Sequence, residues 1–282
     1  MNKWVLGARV RTLPAAVAPV LVGTSLASEI KLINAVLALV VALALQIAVN
    51  FANDYSDGVR GTDTNRVGPT RLVASELATP ASVKIASLLS FLVAAIAGTL
   101  LSFNTSLWLI AVGAVSILAA WGYTGGRRPY GYLGFGELSV FIFFGLVATV
   151  GSYYVQVEQI SWNAVLLAIP MGCLSCSILV INNLRDLPQD ALVNKRTLAV
   201  RLGDKKTRIF YALLLIFAQI TAALAGAINY KLLLTLIWIP LTYSALMQVL
   251  KGADSKELIS VLGKTSKLQL LLAVTLAACL LI

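Results

Sequence analysis

Residues 33–57 read INAVLALVVALALQIAVNFANDYSD. The first twenty carry no charge. At 1.5 Å per helical residue, a run of about 20 spans the roughly 30 Å hydrocarbon core of a bilayer. The last five bring Asn53, Asp54 and Asp57 with no glycine or proline between them and the apolar run. If the helix continues, Gln46, Asn50, Asn53, Asp54 and Asp57 share one face at i, i+3 and i+4 steps. Hydrocarbon offers such a stripe no partner, so it must face a wet cavity or other protein groups.

The rest of the chain agrees with a membrane reading. Of 282 residues, 59% are hydrophobic and 12% charged, with a mean hydropathy of +0.87. Soluble domains average about 45–50% apolar and about 25% charged residues. A water-soluble enzyme and a disordered chain are both excluded on that ground. Nine apolar spans are expected, at about 13–28, 33–52, 85–103, 106–122, 135–155, 163–183, 210–229, 232–250 and 268–282. Glu137 is the one charge inside them. The first span follows Lys3, Arg9 and Arg11 as a signal peptide would, but Pro14 and Pro19 are unusual in a signal peptide's short apolar region. The expectation is an all-α membrane protein, a nine-helix bundle with a cavity facing the cytoplasm.

Charge supports that topology. With the N-terminus cytoplasmic and nine crossings, the C-terminus lies outside, and 20 of the 22 Lys and Arg fall on the cytoplasmic side. Lys31 and Lys231 are the exceptions. This is the positive-inside pattern of a multi-pass protein, here of the cell membrane. It also removes the nucleic-acid reading of the +10 net charge. Acids gather on the same face, with Glu29 and Glu158 alone outside, which orientation does not require because acids contribute little to it. The cytoplasmic connections 53–84 and 184–209 are long and the external ones short. Long connections in a compact protein are usually functional or disordered.

The second long connection opens with Asn182, Asn183, Arg185, Asp186 and Asp190. Asn182, Asp186 and Asp190 are four apart, although Pro188 leaves open whether Asp190 is helical or in a following turn. Clustered carboxylates and amide oxygens suit Mg²⁺, a hard cation that typically takes one or two carboxylates, waters and substrate phosphate. Two such clusters across a cavity could hold two ions bridged by a diphosphate. The alternative is that the acids cap helices or pair with neighbouring bases. Arg66, Arg71, Arg127, Arg128, Lys195 and Arg196 lie near the motifs and suit phosphate. With no His and three Cys, His-ligated metals, His acid–base catalysis and a disulfide framework are excluded.

The motifs Asn53-Asp54-x-x-Asp57 and Asn183-x-Arg185-Asp186-x-x-x-Asp190 resemble the UbiA superfamily of intramembrane aromatic prenyltransferases. Residues 9–14, 53–63, 66–71, 123–126, 129–137, 143–145, 182–186 and 197–203, in that order, resemble its 1,4-dihydroxy-2-naphthoate polyprenyltransferase branch. The resemblance implies one prenyltransferase domain over 1–282, a cytoplasm-facing cavity and a side portal to lipid. It implies catalytic Asp54, Asp57, Asp186 and Asp190, and metal-facing Asn53, Asp57, Asp186 and Asp190. Asp63 joins the metal set, though its six-residue step from Asp57 departs from the shorter spacing of the 4-hydroxybenzoate branch. Arg66, Arg71, Arg128 and Lys195 would bind diphosphate. Tyr123, Glu137 and Asn50 would lie near the aromatic acceptor. The implied reaction is Mg²⁺-dependent transfer from a prenyl diphosphate to 1,4-dihydroxy-2-naphthoate with loss of the carboxyl group, as in menaquinone biosynthesis.

Other readings are weaker. Another acceptor (homogentisate, 4-hydroxybenzoate, a glycerol ether) or phytyl transfer would keep the same machinery. A secondary transporter would place its acids near mid-bilayer, not at one face. Cys173-x-x-Cys176 lies within a span, where small residues more plainly serve close helix packing. Trp162 and Trp238 read as interface anchors.

Overall fold

The computed structural model describes residues 2–62, 68 and 70–282. Its regular structure is helical throughout the described residues. The α-helices are α1 (Lys3–Ala8), α2 (Pro14–Ser25), α3 (Leu32–Arg60), α4 (Pro80–Asn104), α5 (Leu109–Gly122), α6 (Gly136–Val140), α7 (Ala148–Val157), α8 (Trp162–Leu192), α9 (Leu198–Leu224), α10 (Ile239–Leu250) and α11 (Glu257–Leu281). A π-helical turn, Phe141–Val147, joins α6 to α7, and a 3-10 stretch, Tyr230–Trp238, leads into α10. Among the described residues, seven segments are long and apolar enough to cross a membrane. In addition, Lys3–Thr12 and Pro14–Ser25 form a pair bent by 51°, and Leu109–Gly122 is a shorter apolar helix. The chain is a multi-pass membrane protein.

The bundle is built around α8. Of its most apolar eighteen residues, 78% are buried, against 50% or less for the other long spans. Met171, Leu174 and Ile181 on α8 pack with Tyr211 and Leu215 of α9 and with Leu268, Leu272 and Leu276 of α11. The opposite condition holds on α4, where Leu88, Leu92, Ile96 and Leu100 are exposed at four-residue steps. An apolar stripe left open to its surroundings is what lipid contact requires. Small residues let the π-turn approach α8. A Cβ built on Gly145 would stand 2.6 Å from the Gly172 Cα, closer than any real contact allows. Cys173 and Cys176 are buried free thiols beside that crossing.

Of the expected long connections, the second is mostly helix and the first begins and ends in helix. α3 runs without interruption through Asn53, Asp54 and Asp57 to Arg60, and α8 runs through Pro188 and Asp190 to Leu192. Only 193–197 separates α8 from α9, which bends at Gly203, where φ is +75°. Hydropathy marks where a helix leaves hydrocarbon, not where its backbone hydrogen bonds stop. The polar ends of α3 and α8 continue because their polar faces meet an internal cavity. The last span likewise begins earlier than expected, at Glu257.

Candidate active site

The polar ends of α3 and α8 line one cavity of about 470 Å³. From α3 come Gln46, Asn50, Asn53 and Asp57; from α8 come Ser175, Ile178, Leu179, Asn182, Asn183 and Asp186. The steps of three and four residues on each helix are those of a single face. The cavity continues along an apolar wall that includes Val20, Ala38, Val41, Leu101, Ile110 and Val155. One end is thus polar and charged, and the other is hydrocarbon.

Asp57 is the hub of the polar end. It is almost wholly buried. Its Oδ2 lies 3.4 Å from Lys195 Nζ and 3.6 Å from Arg71 Nη2. Its Oδ1 accepts a hydrogen bond from the Tyr132 hydroxyl. Lys195 also stands 3.9 Å from Asp190 Oδ1 and 4.8 Å above the Tyr132 ring. Asp186 takes two hydrogen bonds from the buried Arg185, at 2.8 and 2.9 Å. The structure therefore brings together Asp57, Asp190, Arg71 and Lys195, with Asn53 and Asp186 on the same cavity wall. Buried carboxylates and cations at these distances stabilise one another, because each alone would be costly in a low-dielectric site.

Asp54 is placed differently. It is fully buried and does not line the cavity. Its Oδ2 accepts from Leu72 N at 2.8 Å and its Oδ1 from Val73 N at 3.0 Å. It anchors the turn that carries Arg71 and lies off the cavity wall. Arg128 is exposed and absent from the cavity wall. Asp63 and Arg66 lie outside the described residues.

Of the residues expected near an aromatic acceptor, Tyr123 lines the cavity and packs edge-on against Tyr130, with ring centroids 5.7 Å apart. Asn50 donates to Ala8 O at 2.9 Å and to Thr12 Oγ1 at 3.2 Å. Glu137 is buried behind the wall, and its Oε1 accepts from Asn183 Nδ2 at 2.9 Å. Burial, then the charge of Glu137, pushes the Tyr123 phenol well above its usual range. Burial, then Asp57, does the same to Tyr132. Both hydroxyls are therefore neutral donors at physiological pH.

Sequence reasoning gave no site role to Arg60, Tyr132 or Asn183. Arg60 donates to Thr124 O at 2.8 Å and to Gly126 O at 2.6 Å and stacks 5.1 Å from the Tyr132 ring. The available signal was position: Arg60 is three residues beyond Asp57, hence beside it on the helix.

The oxygen-rich wall suits a divalent cation. Among the described residues, Asn53 Oδ1 is buried with no hydrogen-bond partner, a costly state for an amide oxygen that a cation would relieve. No three acids or cysteines among the described residues stand together as a ready metal cage. In their place, Asp57 and Asp190 share Lys195, and Asp186 is turned onto Arg185.

The chain, a helical membrane bundle with two carboxamide–carboxylate faces on one cavity, belongs to the UbiA prenyltransferase family, whose profile matches residues 16–268. A relative from Mycobacterium tuberculosis, named 1,4-dihydroxy-2-naphthoate octaprenyltransferase, is 50% identical, covering 99% of this chain and 96% of its own. An Escherichia coli protein of the same name is 35% identical, covering 94% of this chain and 90% of its own. The fold is shared with a UbiA homolog from Archaeoglobus fulgidus solved with GPP and Mg²⁺ (TM-score 0.66, 11% identity, 98% and 100% of the two chains).

Proposed function

We propose that this protein transfers a polyprenyl group from a prenyl diphosphate to 1,4-dihydroxy-2-naphthoate, with loss of the carboxyl group, giving a demethylmenaquinol, the hydroquinone form of demethylmenaquinone. One observation carries the reading: a single cavity joins a cationic, oxygen-rich end to an apolar wall suited to an isoprenoid tail. The named relatives at 50% and 35% identity supply the acceptor. The charge partition supports a cytoplasmic N-terminus, an external C-terminus and a cavity open to the cytoplasm. Nine crossings follow if the bent pair and Leu109–Gly122 each span alongside the seven longer segments.

In this reading Arg71 and Lys195 bind the diphosphate and neutralise charge as it leaves. Arg66 is retained as a candidate partner. Asn53, Asp57, Asp186 and Asp190 would hold Mg²⁺, and Asp54 keeps Arg71 in register. Bound Mg²⁺ would add positive charge to the departing diphosphate. The allylic C–O bond breaks with its electron pair on the diphosphate. The ring carbon supplies the pair for the new C–C bond, and the carboxylate leaves as CO₂, its C–C bonding pair returning to the ring to restore aromaticity. The apolar wall keeps water from the cation. Tyr123 and Asn50 face the acceptor.

The test is purified protein with Mg²⁺, a prenyl diphosphate and a panel of acceptors: the dihydroxynaphthoate, homogentisate and 4-hydroxybenzoate. Products are read by mass spectrometry. A prenylated, decarboxylated naphthalene product is expected. Turnover of another acceptor alone would overturn the proposal.

A further inference from the structure

A buried acid holds the Asn183 amide in one orientation. Glu137 Oε1 accepts from Asn183 Nδ2 at 2.9 Å. That bond turns the NH₂ end of the amide to Glu137. The amide oxygen is then the end left for the cavity that Asn183 lines. Among the described residues no donor meets that oxygen. Glu137 is itself held in place: its backbone carbonyl accepts from Cys176 Sγ at 3.1 Å, while its Oε2 is buried with no partner among the described residues. An acid inside a membrane span is costly and marks function by default. Here it spends its one described side-chain hydrogen bond on aiming an amide. The place is beside Tyr123, the residue read above as facing the acceptor. A Cβ on Gly136, next to Glu137, would stand 3.4 Å from the Tyr123 hydroxyl and 3.3 Å from Leu179, one turn before Asn183.

We propose that Asn183 Oδ1 accepts a hydrogen bond from a phenolic hydroxyl of the acceptor, and that Glu137 is the positioning residue that aims it. The inference rests on the naphthoate reading above. Acceptance from a phenol leaves more electron density on the ring, which favours attack on an allylic cation, and it fixes the ring at the wall. A methyl ether at that position has no proton to give and sets one oxygen against another, so the site discriminates hydroxyl from ether.

The full-length protein in nanodiscs is assayed with 1,4-dihydroxy-2-naphthoate and its 1-methoxy and 4-methoxy ethers. The wild type is expected to prefer the hydroxyl over one of the two ethers. Asn183→Ala should raise KM for the dihydroxy acceptor about fivefold to tenfold, the scale of one net hydrogen bond. It should leave KM for the prenyl diphosphate within about twofold and erase the hydroxyl preference. Glu137→Gln keeps an oxygen toward Asn183 and should keep the preference; Glu137→Leu should lose it. Equal loss against hydroxyl and ether, or an equal rise in both KM values, would overturn the inference. Should Asn183→Ala fail to fold, the contrast between the two Glu137 variants decides in the same way. A wild type that turns over no naphthoate would overturn the functional reading itself, and that is seen before any variant is made.

Discussion

Replacing Asp54 by Asn separates an anchor from a metal ligand. Asp54 is fully buried, and its two oxygens accept from Leu72 N and Val73 N at 2.8 and 3.0 Å. Asn keeps one acceptor and turns an NH₂ group against the other backbone N–H. A hydrogen bond to a charged group contributes about 1.5–3 kcal/mol, and a buried unpaired donor costs about 1–3 kcal/mol. Losing one bond and the charge on the other therefore loosens the turn by roughly 2–4 kcal/mol. Arg71 begins that turn and reaches Asp57 at 3.6 Å. If the loss falls on Arg71 placement, kcat/KM for the prenyl diphosphate drops by about 30-fold or more, at 1.4 kcal/mol per factor of ten. The Mg²⁺ concentration giving half-maximal rate should move by less than about twofold. Arg71→Ala should reproduce the effect, and the double variant should be markedly less than additive. Steady-state rates with each substrate varied in turn decide it. An unchanged kcat/KM for the diphosphate, or a Mg²⁺ requirement raised about tenfold or more, would refute the anchoring role.

Three other outcomes are expected. Gly145→Ala puts a methyl 2.6 Å from the Gly172 Cα; backbone cannot yield as a side chain can, so thermal unfolding in detergent should fall by an amount equivalent to about 1–3 kcal/mol, and an unchanged midpoint would contradict so tight a crossing. Chelation should abolish turnover while far-UV circular dichroism stays the same, with Mg²⁺ restoring the rate; full activity in chelator would remove the metal from the reaction. Tyr123 is held protonated well above the usual phenol value by burial and then by Glu137, so Tyr123→Phe should leave the alkaline limb of the pH–rate profile where it was. The same raised value means that any contribution of this phenol to stability is present below the unfolded value near 10 and is lost only as pH climbs above it. A limb displaced by the substitution would mean that the phenol titrates in the working range.

How much of this was legible follows from what hydropathy and spacing measure. Apolar runs located the spans because burial in lipid is written in composition. They could not give the ends of α3 and α8, since both helices leave hydrocarbon and keep their backbone bonding inside the protein. The shared face of Asn50, Asn53 and Asp57, and that of Asn182, Asn183 and Asp186, was visible as three- and four-residue steps. Which acid faces the cavity was not, because that depends on a few tens of degrees. At about 100° per residue, Gln46, Asn50 and Asn53 fall within roughly 40° of Asp57. Asp54 falls about 60° to one side and Arg60 about 60° to the other.

That geometry explains why two charges beside the polar face do not join it. Asp54, at one flank, meets the backbone N–H groups of Leu72 and Val73. Arg60, at the opposite flank, meets the backbone carbonyls of Thr124 and Gly126. An acid can only accept and a guanidinium can only donate, so each flank fixes a different polarity of loop backbone. The first loop then delivers Arg71 to Asp57, and the second delivers Tyr132 to the same carboxylate. The end of α3 thus places three groups through one turn of helix: a carboxylate at the cavity wall, a cation beside it from the first loop and a hydroxyl from the second. Exchanging the signs of the two flanking residues would leave the apolar pattern of the span untouched. It would nonetheless strip both loops of their anchors, which is why composition could find the helix and not the construction of its active end.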